Sequence, residues 1–173
     1  MQLPPYPGWE GLHPLVIHFP IALLLVAPIL MLIGMFVRRH ERGIRIAAFV
    51  LLVLGTIGAF VSVQTGKAAG EIAERTPEIS VVLEHHEDLA ESSLTIFTIL
   101  TVFYAAIIFG PGLFKLTVPR GILTTAIIIF LIVYGAGTLI LINTAHNGGR
   151  LVHEYGVQSL VGAESQPVEN PTE

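Results

Sequence analysis

HPLVIHFPIALLL, residues 13–25, opens an apolar run with two histidines and places Pro14 and Pro20 beside them. Lipid penalises imidazoles and helix breakers alike, yet the run continues without a charge from 15 to 37. Three comparable stretches follow, at 44–63, 89–109 and 122–146. The apolar part of the third starts only at Leu94, but the segment before it continues the helical pattern. A helix needs ~20 apolar residues to cross roughly 30 Å of hydrocarbon. The reading is therefore an all-α, polytopic membrane protein built as a four-transmembrane-helix bundle. The first run does not read as a cleaved leader, being too long, without a basic start and without a small-residue cleavage site.

Composition supports the class. Of 173 residues, 53% are hydrophobic and 13% charged, and mean hydropathy is +0.73, outside the balance of a soluble domain. The net charge of −4 argues against a nucleic-acid partner, which calls for a basic surface. There is no cysteine. That excludes disulfides, thiolate zinc sites, cysteine-held iron–sulfur clusters and covalent c-type haem.

Charge sets the expected orientation. Arg38, Arg39, Arg42, Arg45, Lys115 and Arg120 fall in the first and third connections; Lys67, Arg75 and Arg150 lie on the opposite side. The excess of basic residues marks the cytoplasmic side, so the chain reads as N-out and C-out. Residues 1–12 form an irregular outer segment in which Tyr6 and Trp9 can anchor at the interface. The membrane domain is 13–157, and the polar, acidic tail 158–173 has the composition of a disordered segment.

Six of the seven histidines then share the outer side: His13, His18, His85, His86, His146 and His153. His40 lies in the basic inner loop. Helical spacing ranks them. Ile79, Val82, Leu83, His86, Ala90, Ser93 and Phe97 follow one face, so His86 points inward and His85 toward water. Gly135, Thr138, Ile142 and His146 share a face by the same spacing, which aims His146 inward, with Asn147-Gly148-Gly149 as the helix cap. Pro14 suits a first helical turn, with His13 as cap and His18 one turn inside. Pro20 frees the Val16 carbonyl and bends the helix; a polar pocket rather than lipid satisfies that carbonyl. Against this stands a plainer reading, in which the histidines cap helix ends or bond one another. Gly55, Gly58, Gly66, Gly70, Gly135 and Gly137 read as packing positions.

HPLVIHFPIAL, TGKAAGEIAE, HHEDLAE and AHNGGRLVHEYG together resemble the bacterial membrane family known as domain of unknown function 2231, over residues 13 to about 157. The resemblance implies a four-helix domain of the bacterial cytoplasmic (inner) membrane, found in some architectures beside c-type cytochrome or Rieske modules. By motif, His13, His18, His86 and His146 match the family pattern. His153 departs from it: the family has tyrosine there and histidine two positions later, where this chain has Tyr155.

Two chemistries follow from the histidines. A four-helix bundle offers one or two axial imidazoles and an apolar slot, which suits haem b; His18, His86, His146 and His13 are the candidate ligands. The alternative is a copper, zinc or iron ion on His18, His86 and His146, with Glu84, Glu87, Asp88 and Glu154 nearby. A third role, compatible with the first, is a subunit whose acidic outer face docks a c-type cytochrome or Rieske-type partner. A homo-oligomer is left open. No G-x-S-x-G, HExxH or phosphate loop points to a hydrolase.

Overall fold

Four long helices account for the fold. The computed structural model describes residues 8–73 and 76–157. A 3-10 turn (Trp9–Leu12) leads into α1 (His13–Val16) and α2 (His18–Phe36), which together form the first span. α3 (Glu41–Ile72), α4 (Pro77–Leu113) and α5 (Arg120–His153) form the other three. All four spans are long and apolar enough to cross a membrane. Tyr6 and the tail lie outside the described residues. With 37 residues, α4 extends about 55 Å, well beyond ~30 Å of hydrocarbon. The excess length carries the first turns of α4 past the apolar spans at the end that holds His13 and His86.

The chain is arranged as two helical hairpins. α2 packs most extensively on α3 and α4 on α5; α3 against α4 joins the pairs, and a smaller α2–α5 contact closes the bundle. Leu24, Ala27 and Met31 of α2 meet Ala48 and Leu52 of α3, Phe97, Leu100 and Tyr104 of α4, and Phe130 and Tyr134 of α5. Their three- and four-residue spacing makes one stripe on each helix. Phe19, Ile57, Val102 and Ile132 are exposed on the outer surface, as expected of side chains that meet lipid. Close approach of α2 to α3 depends on Gly55, where a Cβ would stand 2.8 Å from the Leu24 side chain.

Within the apolar layer, backbone groups freed by proline need partners. Pro28 lies inside α2 and leaves the Leu24 carbonyl without its usual donor. The buried Tyr134 hydroxyl of α5 donates to that carbonyl at 2.6 Å. Pro20 loosens the helix start: α1 and α2 part at Ile17, and the Ile21 N–H reaches the Ile17 carbonyl only at 3.5 Å. Thr56 bonds the Leu52 carbonyl and the Thr101 hydroxyl, both at 2.8 Å, linking α3 to α4.

At the other end, Arg45, counted with the first connection, is buried (9% exposed). It pairs with Glu41. Arg120 reaches the same carboxylate and the Met35 carbonyl, each at 3.4 Å. Glu41 thus ties α3 to α5, and Arg120 extends the link to the end of α2.

Two sequence expectations about α5 are corrected. The helix does not end at Asn147-Gly148-Gly149 but runs to His153. The chain turns back at Gly156 (φ 66°), where the Val157 N–H donates to the Leu151 carbonyl at 2.9 Å. The inward face is Gly137, Leu141, Thr144, Asn147 and Leu151, whereas Gly135, Ile142 and His146 are exposed. Tyr134 selects that register, because its hydroxyl must reach α2.

Tyr134→Phe is expected to destabilise the protein by about 1–3 kcal/mol by leaving the Leu24 carbonyl unpaired. Thermal unfolding in detergent measures the loss. In a Pro28→Ala background the carbonyl regains a helical donor, so the same change is expected to cost less.

Candidate functional site

Two of the four matched histidines come together at the head of the bundle. His13 begins α1, and its Nδ1–H donates to the Ser62 carbonyl of α3 at 2.9 Å. His86, seven residues before Ser93 on the inward stripe of α4, has Nδ1 2.9 Å from the Thr144 carbonyl of α5 and donates to it in the same way. The two ring centroids are 6.5 Å apart and the ring planes meet at 81°. Both rings are half-buried.

The two hairpins hold their imidazoles by the same device. His13 lies against Gly66, where a Cβ would be 2.9 Å from Cε1 of the ring. His86 lies against Gly148, where the distance would be 3.0 Å. In each case the accepting carbonyl belongs to the residue four before the glycine. Because Cα–Cβ bonds tilt toward the helix N-terminus, a side chain at either glycine would stand over that carbonyl. Its absence opens the oxygen to the imidazole. The local sequences correspond: Ser62-Val-Gln-Thr65-Gly66 and Thr144-Ala-His-Asn147-Gly148.

Buried hydroxyls brace both carbonyl segments. Thr65, fully buried, bonds the Val61 carbonyl at 2.9 Å and lies 3.3 Å from His13 Nδ1. Thr144 bonds the Ile140 carbonyl at 2.9 Å and the Ser93 hydroxyl at 3.1 Å.

Between the hairpins lies a cavity of about 430 Å³, within the range of about 300–1,000 Å³ typical of small-molecule and cofactor sites. Gly66, Gly70, Leu83, Ala90, Gly148 and Leu151 form apolar or small walls, and His13 and His86 enter it. Glu10, Lys67 and Glu87 add charged groups; Lys67 is paired with Glu91 at 2.6 Å. The segment Tyr155-Gly156-Val157 closes one side.

The other candidates are placed elsewhere. His18 is exposed and its Nδ1 donates to the Pro14 carbonyl of its own helix at 3.2 Å. His146 is exposed on the outer surface of α5. The expectation that these two point inward is not met: the first turn of α2 and the register of α5 carry them outward. His85 is exposed, as its spacing indicates, and His153 is exposed too. Among the described residues, no group of three or more His, Cys, Asp or Glu is arranged to hold a metal ion. Sequence reasoning took Gly66 for packing and Gly148 for a cap. It missed Ser62, Thr65 and Thr144, although the repeated spacing of small hydroxyl and glycine residues on α3 and α5 carried the signal.

Residues 10–160 match the family model described as "Predicted membrane protein (DUF2231)". The chain belongs to this family. No curated protein and no solved structure matches the chain. The family match spans both hairpins, so the imidazole pair and its two glycines lie inside it.

Alanine at Gly66 or Gly148 must displace the imidazole packed against it and strain its bond to the carbonyl. Each variant is expected to lose about 1–3 kcal/mol of stability from overpacking. Gly135→Ala, with no neighbour within 4 Å, is expected to cost nothing, or to stabilise by up to about 1 kcal/mol through helix propensity, in the same thermal unfolding measurement.

Proposed function

We propose that this protein holds haem b between His13 and His86 and serves electron transfer within a respiratory-type complex of the bacterial inner membrane. The observation that carries this reading is the pair of neighbouring imidazoles, one from each hairpin. With ring centroids 6.5 Å apart, the two imidazoles would be close enough to hold one metal centre between them. Each Nδ1–H is committed to a backbone carbonyl, which fixes the tautomer and leaves Nε2 as the donor nitrogen. Haem, when bound, supplies one-electron chemistry.

The surroundings fit a flat apolar group better than a bare ion. Zinc or copper favours three or four protein ligands, and the described residues offer two imidazoles without a third donor grouped with them. Haem needs no more than two. Glycine, alanine and leucine form much of the wall beside the charged groups, and Ser62, Thr65 and Thr144 hold the rings in place.

The excess of Lys and Arg at the opposite end supports a periplasmic location for the site and for both termini. Glu71, Glu78, Glu84 and Asp88 are exposed around the histidine end. They give it the charge to attract a basic redox partner such as a c-type cytochrome.

Absorption spectra test the haem reading. Protein purified from haem-replete cells is expected to show a Soret band that His13→Ala or His86→Ala removes. His18→Ala and His146→Ala are expected to retain it. A wild-type preparation with no Soret band would refute the proposal, and stoichiometric copper or zinc in that preparation would favour the metal-ion alternative. For the partner, a basic soluble c-type cytochrome is expected to bind at low salt and dissociate at high salt, because exposed charges are screened beyond about 10 Å at 0.1 M.

A further inference from the structure

The two hairpins share the imidazole, the glycine and the carbonyl, but differ in one group. On α3, three residues after Ser62, stands Thr65; on α5 the corresponding position is Asn147. Thr65 is fully buried. Its hydroxyl has two backbone acceptors on its own helix, the Val61 carbonyl at 2.9 Å and the Ser62 carbonyl at 3.1 Å. A hydroxyl proton given to a carbonyl leaves the oxygen lone pairs free to accept. His13 Nδ1 lies 3.3 Å from that oxygen and 2.9 Å from the Ser62 carbonyl. The His13 N–H is therefore shared between two acceptors. The Asn147 amide turns away, to the Asn143 carbonyl at 3.0 Å and side-chain oxygen at 3.2 Å, and among the described residues the His86 N–H has a single acceptor, the Thr144 carbonyl.

We infer that Thr65 is a positioning residue that makes the two imidazoles inequivalent, with His13 the stronger electron donor of the pair. The inference rests on the haem reading given above. An acceptor on Nδ1–H draws the proton away from the ring, raises the basicity of Nε2 and favours the more highly charged state of a metal bound there. A second acceptor extends that effect. It also restricts the ring to one orientation about its Cβ–Cγ bond, because the N–H must lie between the carbonyl and the hydroxyl. Thr65 thus sets both the donor strength and the plane of His13, while His86 responds to Thr144 alone.

The test uses the full-length haem-loaded protein and a potentiometric titration of its Soret band, together with low-temperature EPR of the ferric form. Thr65→Val keeps the shape and removes the acceptor. It is expected to retain haem, raise the midpoint potential and shift the EPR g-values through the altered ring plane. Thr65→Ser is expected to restore both to wild type. Thr65→Ala repeats the measurement without either γ-methyl group if valine packs poorly. Thr56→Val, at a half-buried threonine of the same helix that bonds the Leu52 carbonyl and Thr101, is expected to leave potential and spectrum unchanged. The inference is overturned if Thr65→Val and Thr65→Ala both bind haem with wild-type potential and g-values, or if Thr56→Val shifts them equally. Wild-type protein without a Soret band overturns the haem reading and this inference with it.

Discussion

A carbonyl inside a helix already accepts the N–H of the residue four further on, and the side chain of that residue crowds its remaining lone pair. Serine and threonine at that position exploit the proximity by bonding back to the carbonyl. For an imidazole from another helix to use the same oxygen, the crowding side chain must be absent. Gly66 and Gly148 supply that absence opposite Ser62 and Thr144. The hydrogen bonds that orient His13 and His86 depend on it, and so does the cavity between them. The backbone of α3 and α5, rather than a set of polar side chains, is the main receptor for the two rings.

The same economy of polar groups governs the rest of the bundle. In the apolar layer the Leu24 carbonyl, left open by Pro28, is met by Tyr134. Thr56 and Thr101 satisfy each other across α3 and α4, and Glu41 serves two arginines at the far end. Apolar matching alone holds helices weakly when lipid is as apolar as the side chains. These few directional contacts therefore choose which faces meet. Tyr134 shows the reach of one such contact. By fixing the rotation of α5, it turns Thr144 and Gly148 toward His86 and leaves His146 outside.

How much of this the sequence carried depended on the strength of the local pattern. The four spans were legible because uncharged apolar runs of about 20 residues match the thickness of a bilayer and little else. His86 was placed inward because its stripe is long and regular. α5 resisted, because Ile, Leu, Val and Gly occur all around it and its apolar period does not identify a face. The decisive cue was instead a single hydroxyl, Tyr134, paired with a proline more than a hundred residues earlier. Gly148 was misread for a related reason. A double glycine after a polar residue has the composition of a helix end, and only the imidazole on a neighbouring helix reveals why it sits mid-helix. His18 followed His13 in sequence but not in space, since residues five apart on a helix face different directions.

Each hairpin provides one imidazole and the backbone that grips it, and neither contains both rings. The grip on His86 is completed by Thr144 and Gly148, near the end of the last helix. During synthesis the pocket therefore has no half-built form: both rings are gripped only once the fourth helix has docked, so the site is a product of the completed bundle.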